Sequence, residues 1–153
     1  MITSTVENYL KALFLLNQQG DTRISTGALA CALKLTPGSV TAMLKTLADD
    51  GLIDHQLHYG ATLTEKGRNL AVHVVRRHRI VELFLVKVLG MGWDEVHKEA
   101  EQLEHVVSDD VIDRMDDLLG HPTIDPHGDP IPTRDGSLPM RSLVRLAYCK
   151  EGE

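Results

Sequence analysis

Apolar residues recur three and four positions apart through the first fifty residues, and the period then changes. In "STVENYLKALFLLNQQG", Val6, Tyr9, Leu10, Leu13, Phe14 and Leu16 share one helical face, and the pattern stops at Gly20. A second short helix follows Ser25, a good N-cap, through "TGALACALKL". The third, "TPGSVTAMLKTLADDG", has Thr36 to cap it, Pro37 at its first position and Gly51 to end it. Val40, Met43, Leu44 and Leu47 form its inner face, and Ser39, Thr41 and Lys45 are left outside. After Gly51, "LIDHQLHYGATL" alternates as two short strands turning near Tyr59-Gly60.

Thr64 then caps a long helix running to Gly90, and another begins near Asp94. Ser108 caps a third, "DDVIDRMDDLLG", whose first-turn acids favour the helix dipole. From Gly120 the chain is loop, with five of its six prolines. No internal repeat or low-complexity tract interrupts this order. Three helices and a hairpin in sequence predict a winged helix-turn-helix, with the third helix in the DNA major groove. Candidate base-reading positions are Thr36, Pro37, Ser39, Thr41 and Ala42. Lys45, Arg68 and the cluster Arg76, Arg77 and Arg79 are candidates for phosphate. Taken alone, the same residues read equally well as solvated surface.

The stretch "HKEAEQLEHVVSDD" carries candidate chemistry. On a continuous helix, His97, Glu101, Glu104 and His105 span roughly 100° of one face, while Leu103, Val106 and Val107 turn toward a core. His78 and Glu82 are four apart on the preceding helix and also share a face. If the two helices pack antiparallel, His78, Glu82 and His97 meet as one nitrogen and oxygen donor set. Glu101, Glu104 and His105 form a second, one turn further on. Imidazole and carboxylate without thiolate suit Mn²⁺ or Fe²⁺, and also Co²⁺, Ni²⁺ or Zn²⁺. The bland alternative is a charged face exposed to water.

Charge and composition sharpen the division. Residues 1–80 hold nine Lys/Arg against six Asp/Glu, a balance of +3; residues 81–153 hold seven against sixteen, −9. Six of the eight histidines fall between His73 and His127. An N-terminal part that tolerates polyanions and a C-terminal part rich in cation ligands are expected. The chain has no signal-peptide pattern and no uninterrupted apolar span, and Cys31 and Cys149 form no ligand-spaced pair, so the cytoplasm is expected. The metalloprotease His-Glu-x-x-His pattern, glycine-rich phosphate loops and nucleophile–base pairs are missing from the sequence. A di-metal hydrolase stays open on the donor sets alone, but would leave the winged-helix pattern unexplained.

The segments "VENYLKALFLL", "LTEKGRNLA", "RRHRIVELFLVKVLGMGWDEVHKEAEQLEHVVSDDVIDRMDDLLGHP" and "PHGDPIP" resemble the metal-dependent repressors of the diphtheria toxin repressor and manganese transport regulator family, from about Thr3 to Pro132. The resemblance implies a mainly α protein. A winged helix-turn-helix DNA-binding domain (1–72) would lead into an all-helical metal-binding and dimerisation domain (73–140) and a tail (141–153). It implies one metal site at His78, Glu82 and His97. The other would use Glu101, Glu104 and His105 with a ligand from the first helix at Asn8. Iron-responsive members carry cysteine at the Glu101 position and methionine at the Asn8 position; manganese-responsive members carry glutamate and aspartate. Glu101 therefore resembles the manganese type, whereas Asn8 departs from it by being neutral. Lys11 stands where shorter manganese regulators have another acid, which favours two separate sites over a binuclear one. Many relatives continue into an SH3-like domain, and the expectation here is a short form without it.

What the resemblance implies is a homodimeric repressor of metal-uptake genes on a double-stranded DNA operator. Mn²⁺ is the first choice of co-repressor and Fe²⁺ the second. It implies no membrane partner, no small organic substrate and no enzymatic activity. An ion held by Asn8 together with the second set would restrict the hinge between domains. In a two-fold dimer that would set the recognition helices about 34–36 Å apart. Metal and DNA would then reinforce each other by about 1–3 kcal/mol. A winged-helix regulator with purely structural metals is the alternative.

Overall fold

A computed structural model describes residues 2–18 and 23–138. The fold divides into two compact units, residues 1–74 and 75–153. The expected end of the first helix at Gly20, Cys149 and the tail 141–153 lie outside the described residues.

In the first unit, α1 (Ser4–Asn17) is capped by Thr3, whose hydroxyl accepts from the Val6 amide at 3.2 Å, and buries Tyr9, Leu10, Leu13 and Phe14. Ser25 caps α2 (Thr26–Leu33) in the same way, at 3.0 Å from the Ala28 amide. Lys34 ends that helix in the left-handed region, φ 57°. Thr36 and Pro37 start α3 (Pro37–Asp49) as their residue types require. α2 and α3 meet at a 108° bend, within the range of a helix-turn-helix. Val40, Leu44 and Leu47 are fully buried beneath α3. Gly51, at φ 74°, lets Leu52 donate back to the Leu47 carbonyl at 3.0 Å and closes the helix.

The hairpin pairs β1 (Ile53–Gln56) antiparallel with β2 (Gly60–Leu63), Ile53 opposite Leu63. Its turn is at Leu57 to Tyr59, slightly before the expected Tyr59-Gly60, because His58 takes the positive φ, 68°. Ile24 adds a bridge to Ala61, with reciprocal main-chain bonds of 2.8 Å. Arg23 fastens the arrangement through Asp54 at 2.7 Å and the Gly60 carbonyl at 3.2 Å. Thr64 caps α4 (Glu65–Lys87) at the Gly67 amide, 3.1 Å. The Arg68 guanidinium lies over the Phe14 ring, 5.3 Å from its centroid.

The second unit takes the C-terminal part of α4, α5 (Val96–Leu103), α6 (Asp109–Leu118) and the loop beyond it. Ile80, Val81, Leu83, Leu85, Val96, Ala100, Ile112 and Ile131 form its core, with Leu103 and Val107 packed against them. Ser108 caps α6 at the Val111 amide, 3.3 Å. One expectation is corrected here. The helix carrying the His97 stripe ends at Leu103, so Glu104 is its C-cap and His105 lies beyond it. With the helical register lost, Val106 is 77% exposed rather than turned inward.

A second correction concerns the basic cluster. Arg76 and Arg79 are buried and Arg77 is half-buried. Arg76 pairs with Asp113 at 3.1 Å, Arg77 donates to the Glu104 carbonyl at 3.1 Å, and Arg79 donates to the Pro130 carbonyl. Their charges hold the second unit together and are not available to phosphate. Among the described residues, no single helix is long and apolar enough to cross a membrane.

Gly67 gives a direct test of this packing. A Cβ there would run into the Leu52 main-chain oxygen, which cannot move aside cheaply. Gly67→Ala is expected to destabilise the first unit by about 1–3 kcal/mol, read as a lower Tm in circular dichroism.

Candidate metal centre

One turn of α4 separates His78 from Glu82 and places them on one face, both more than nine-tenths buried. Glu82 lies between the core residues Val81 and Leu83 in sequence, and a carboxylate in such a position needs compensation. It has that from three imidazoles. His78 Nε2 contacts Oε1, His97 Nδ1 is 3.8 Å from the same oxygen, and His127 Nδ1 is 3.2 Å from Oε2. The contact from His127 is not aligned as a hydrogen bond, and Glu82 Oε2 is left buried without one. His78 Nε2 and His97 Nδ1 face each other at 3.2 Å. One donor atom each from His78, Glu82 and His97 lies within 4.8 Å of the others. This is the first set expected from the sequence.

Burial alone would push the Glu82 carboxyl up. The His78 hydrogen bond and the charges of His78, His127 and His97 outweigh it and hold the carboxyl below its ordinary value. Behind His78, Glu104 Oε2 is 2.6 Å from Nδ1. A histidine anchored at Nδ1 by a carboxylate and offering Nε2 is an arrangement suited to a metal ligand. Two facing nitrogens, an orphaned carboxylate oxygen and no sulfur form a donor set that fits a divalent cation of intermediate to hard character.

The second expected set does not gather in the same way. Glu101 turns to His97, its Oε1 3.0 Å from Nε2, while Glu104 Oε1 is 3.3 Å from His105 Nε2. Among the described residues, Glu101, Glu104 and His105 form no common donor group. Asn8 is an exposed residue of α1 in the first unit.

Two further donors come from the loop after α6, where reading the sequence identified only turns. Asp125 and His127 approach Glu82 to form a second group within 4.8 Å. Asp125 Oδ1 accepts from the His127 and Asp129 amides at 2.9 and 2.8 Å, which folds "DPHGD" into a tight turn. Burial, helped by the negative charges of Asp129 and Glu82, raises the Asp125 carboxyl above its ordinary value despite those amide bonds. The available signal was an Asp and a His two apart in a turn-forming segment. A third group, Asp116, Asp117 and His121, is already neutralised by Arg134 at 2.9 Å from Asp117 and by Arg76 at 3.7 Å from Asp116.

In the first unit, Thr36, Pro37, Ser39, Thr41, Ala42 and Lys45 are all exposed along α3. The Thr36 hydroxyl donates to the Ser39 hydroxyl at 2.9 Å, and the Thr41 hydroxyl donates to the Pro37 carbonyl at 2.9 Å.

Residues 1–61 match the family described as "Iron dependent repressor, N-terminal DNA binding domain", and residues 64–133 match "Iron dependent repressor, metal binding and dimerisation domain". The chain belongs to the iron-dependent repressor family. Members of that family among its relatives include the iron-dependent repressor IdeR of Mycobacterium leprae, 35% identical over 99% of this chain and 68% of the relative. The regulator MntR of Oceanobacillus iheyensis is 34% identical over 79% of this chain and 81% of its own length. A solved manganese-dependent transcriptional repressor in complex with manganese superposes with a TM-score of 0.83 at 44% identity. That match covers 88% of this chain and 62% of the repressor, so the chain spans less than two thirds of that protein. The family consists of transcriptional regulators, not enzymes.

The Glu82 carboxyl, held below its ordinary value of 4.5, contributes stability above that value, and the contribution is lost as pH falls through the lower folded value. In chelator, the Glu82→Gln protein is expected to show a flatter fall in its urea midpoint below about pH 4.5 than the parent. An unchanged acid profile would contradict this assignment.

Proposed function

We propose that this chain is a metal-activated, DNA-binding transcriptional repressor of metal-uptake genes, acting in the cytoplasm as a homodimer on an operator. The observation that carries the reading is the buried Glu82 carboxylate, one oxygen of which accepts no hydrogen bond, facing imidazoles within the family's metal-binding domain. His78, Glu82 and His97 would hold one ion, with Asp125 and His127 close enough to join. Glu101, Glu104, His105 and Asn8 are proposed for a second ion. Glutamate rather than cysteine at position 101 supports Mn²⁺ first and Fe²⁺ second. A bound ion supplies positive charge where carboxylates and imidazoles converge. The domains are proposed as 1–72 and 73–140.

DNA enters through α3. Thr36, Pro37, Ser39, Thr41 and Ala42 are proposed to face base edges and Lys45 a phosphate. Metal and operator favour the same conformer, so each raises affinity for the other by an equal factor. Ligand imidazoles must be neutral to coordinate, so acidification is expected to weaken metal binding.

The test is fluorescence anisotropy on DNA from the region upstream of the protein's own gene, at stated salt. Mn²⁺ and anaerobic Fe²⁺ are titrated in parallel. Metal is expected to tighten binding by a factor of about 5–150. His105→Ala is expected to abolish the stimulation without dissociating the dimer. Equally tight specific binding in chelator would instead make the metals structural.

A further inference from the structure

We propose that Glu104 is a positioning residue for the His78, Glu82 and His97 group, acting through the back of the His78 ring rather than solely as a ligand elsewhere. The inference rests on the reading above that this group holds a divalent cation. Glu104 is completely buried, although it sits at the end of a helix where a glutamate ordinarily reaches water. Its backbone is fixed on both sides. The amide donates to the Ala100 carbonyl at 2.9 Å, and its own carbonyl accepts from Arg77 at 3.1 Å. The carboxylate therefore has little freedom in where it lies.

Its two oxygens face different histidines. Oε2 is 2.6 Å from His78 Nδ1, and Oε1 is 3.3 Å from His105 Nε2. A carboxylate at Nδ1 keeps the proton on that nitrogen. It thereby leaves the Nε2 lone pair for the side of the ring that meets Glu82 and His97. It also raises the basicity of Nε2 as a donor and stops the ring from turning. Because Oε1 is separate, Glu104 can contribute to the second proposed ion through that atom without releasing His78. One side chain then serves both donor sets, and the buried charge has a partner on each oxygen.

The test uses the full chain in a His105→Ala background, which weakens the second set, with Co²⁺ as the probe. Affinity is read from visible absorption in competition with a chelator. Glu104→Ala is expected to weaken Co²⁺ binding 10–100-fold. Glu104→Gln keeps the shape and an acceptor oxygen, and is expected to lose less. Proton NMR of the Co²⁺ protein supplies a readout that a purely structural role would not move. The His78 Nδ1 proton should give a shifted, slowly exchanging resonance in the parent. It should exchange faster in Glu104→Gln and vanish in Glu104→Ala. If Glu104→Ala fails to fold, the affinity and exchange rate of Glu104→Gln decide the question. Co²⁺ affinity within twofold of the parent, with the proton still slow to exchange, would overturn the proposal. His78→Ala is the control: undiminished Co²⁺ binding there would overturn the underlying assignment of the site as well.

Discussion

The second unit is organised by the need to accommodate one carboxylate in an apolar helical core. Glu82 is 2% exposed, flanked by fully or nearly fully buried aliphatic neighbours, and an unpaired charge there would be strongly destabilising. Three elements converge to prevent that: α4 itself brings His78, α5 brings His97, and the turn after α6 brings His127. Each is anchored independently of the charge. Val96 and Ala100 seat α5 in the core, and Arg79 holds the turn through the Pro130 carbonyl. His78 is held in the core, and a cation entering beside it meets donor atoms of His78, Glu82 and His97 already within 4.8 Å of one another. Preorganisation of this kind turns metal binding into added stability for the conformer that carries it.

Much of the architecture was legible because it rests on local chemistry. The caps Ser25, Thr36, Thr64 and Ser108 each satisfy an amide three residues on, and the hydrophobic faces of α1 and α3 follow their periodicity. His78 and Glu82 were legible as a pair for the same reason. The end of α5 was not. "AEQLEHVV" contains no glycine or proline to stop a helix, and the stop comes from tertiary contacts. Glu104 is drawn inward by His78 from α4, and Arg77 takes its carbonyl. No spacing rule along the chain contains that information.

Arg76, Arg77 and Arg79 read as a basic patch when seen in sequence, since their partners Asp113, Glu104 and Pro130 lie far along the chain. Asp125 and His127 sit in a segment whose prolines remove any periodic signal, so only the resemblance of "PHGDPIP" drew attention to it. In both cases the contact order is long and the local pattern is silent. The positive balance of the N-terminal residues consequently shrinks as a DNA-binding signal, and recognition depends more on the exposed row along α3.

Anomalous diffraction at the manganese edge, from crystals grown with Mn²⁺, tests the central claim most directly. The account predicts a strong anomalous peak bounded by His78 Nε2, His97 Nδ1 and Glu82, with Glu104 remaining on His78 Nδ1. An ion bound elsewhere in the second unit while Glu82 keeps only its histidine contacts would contradict it.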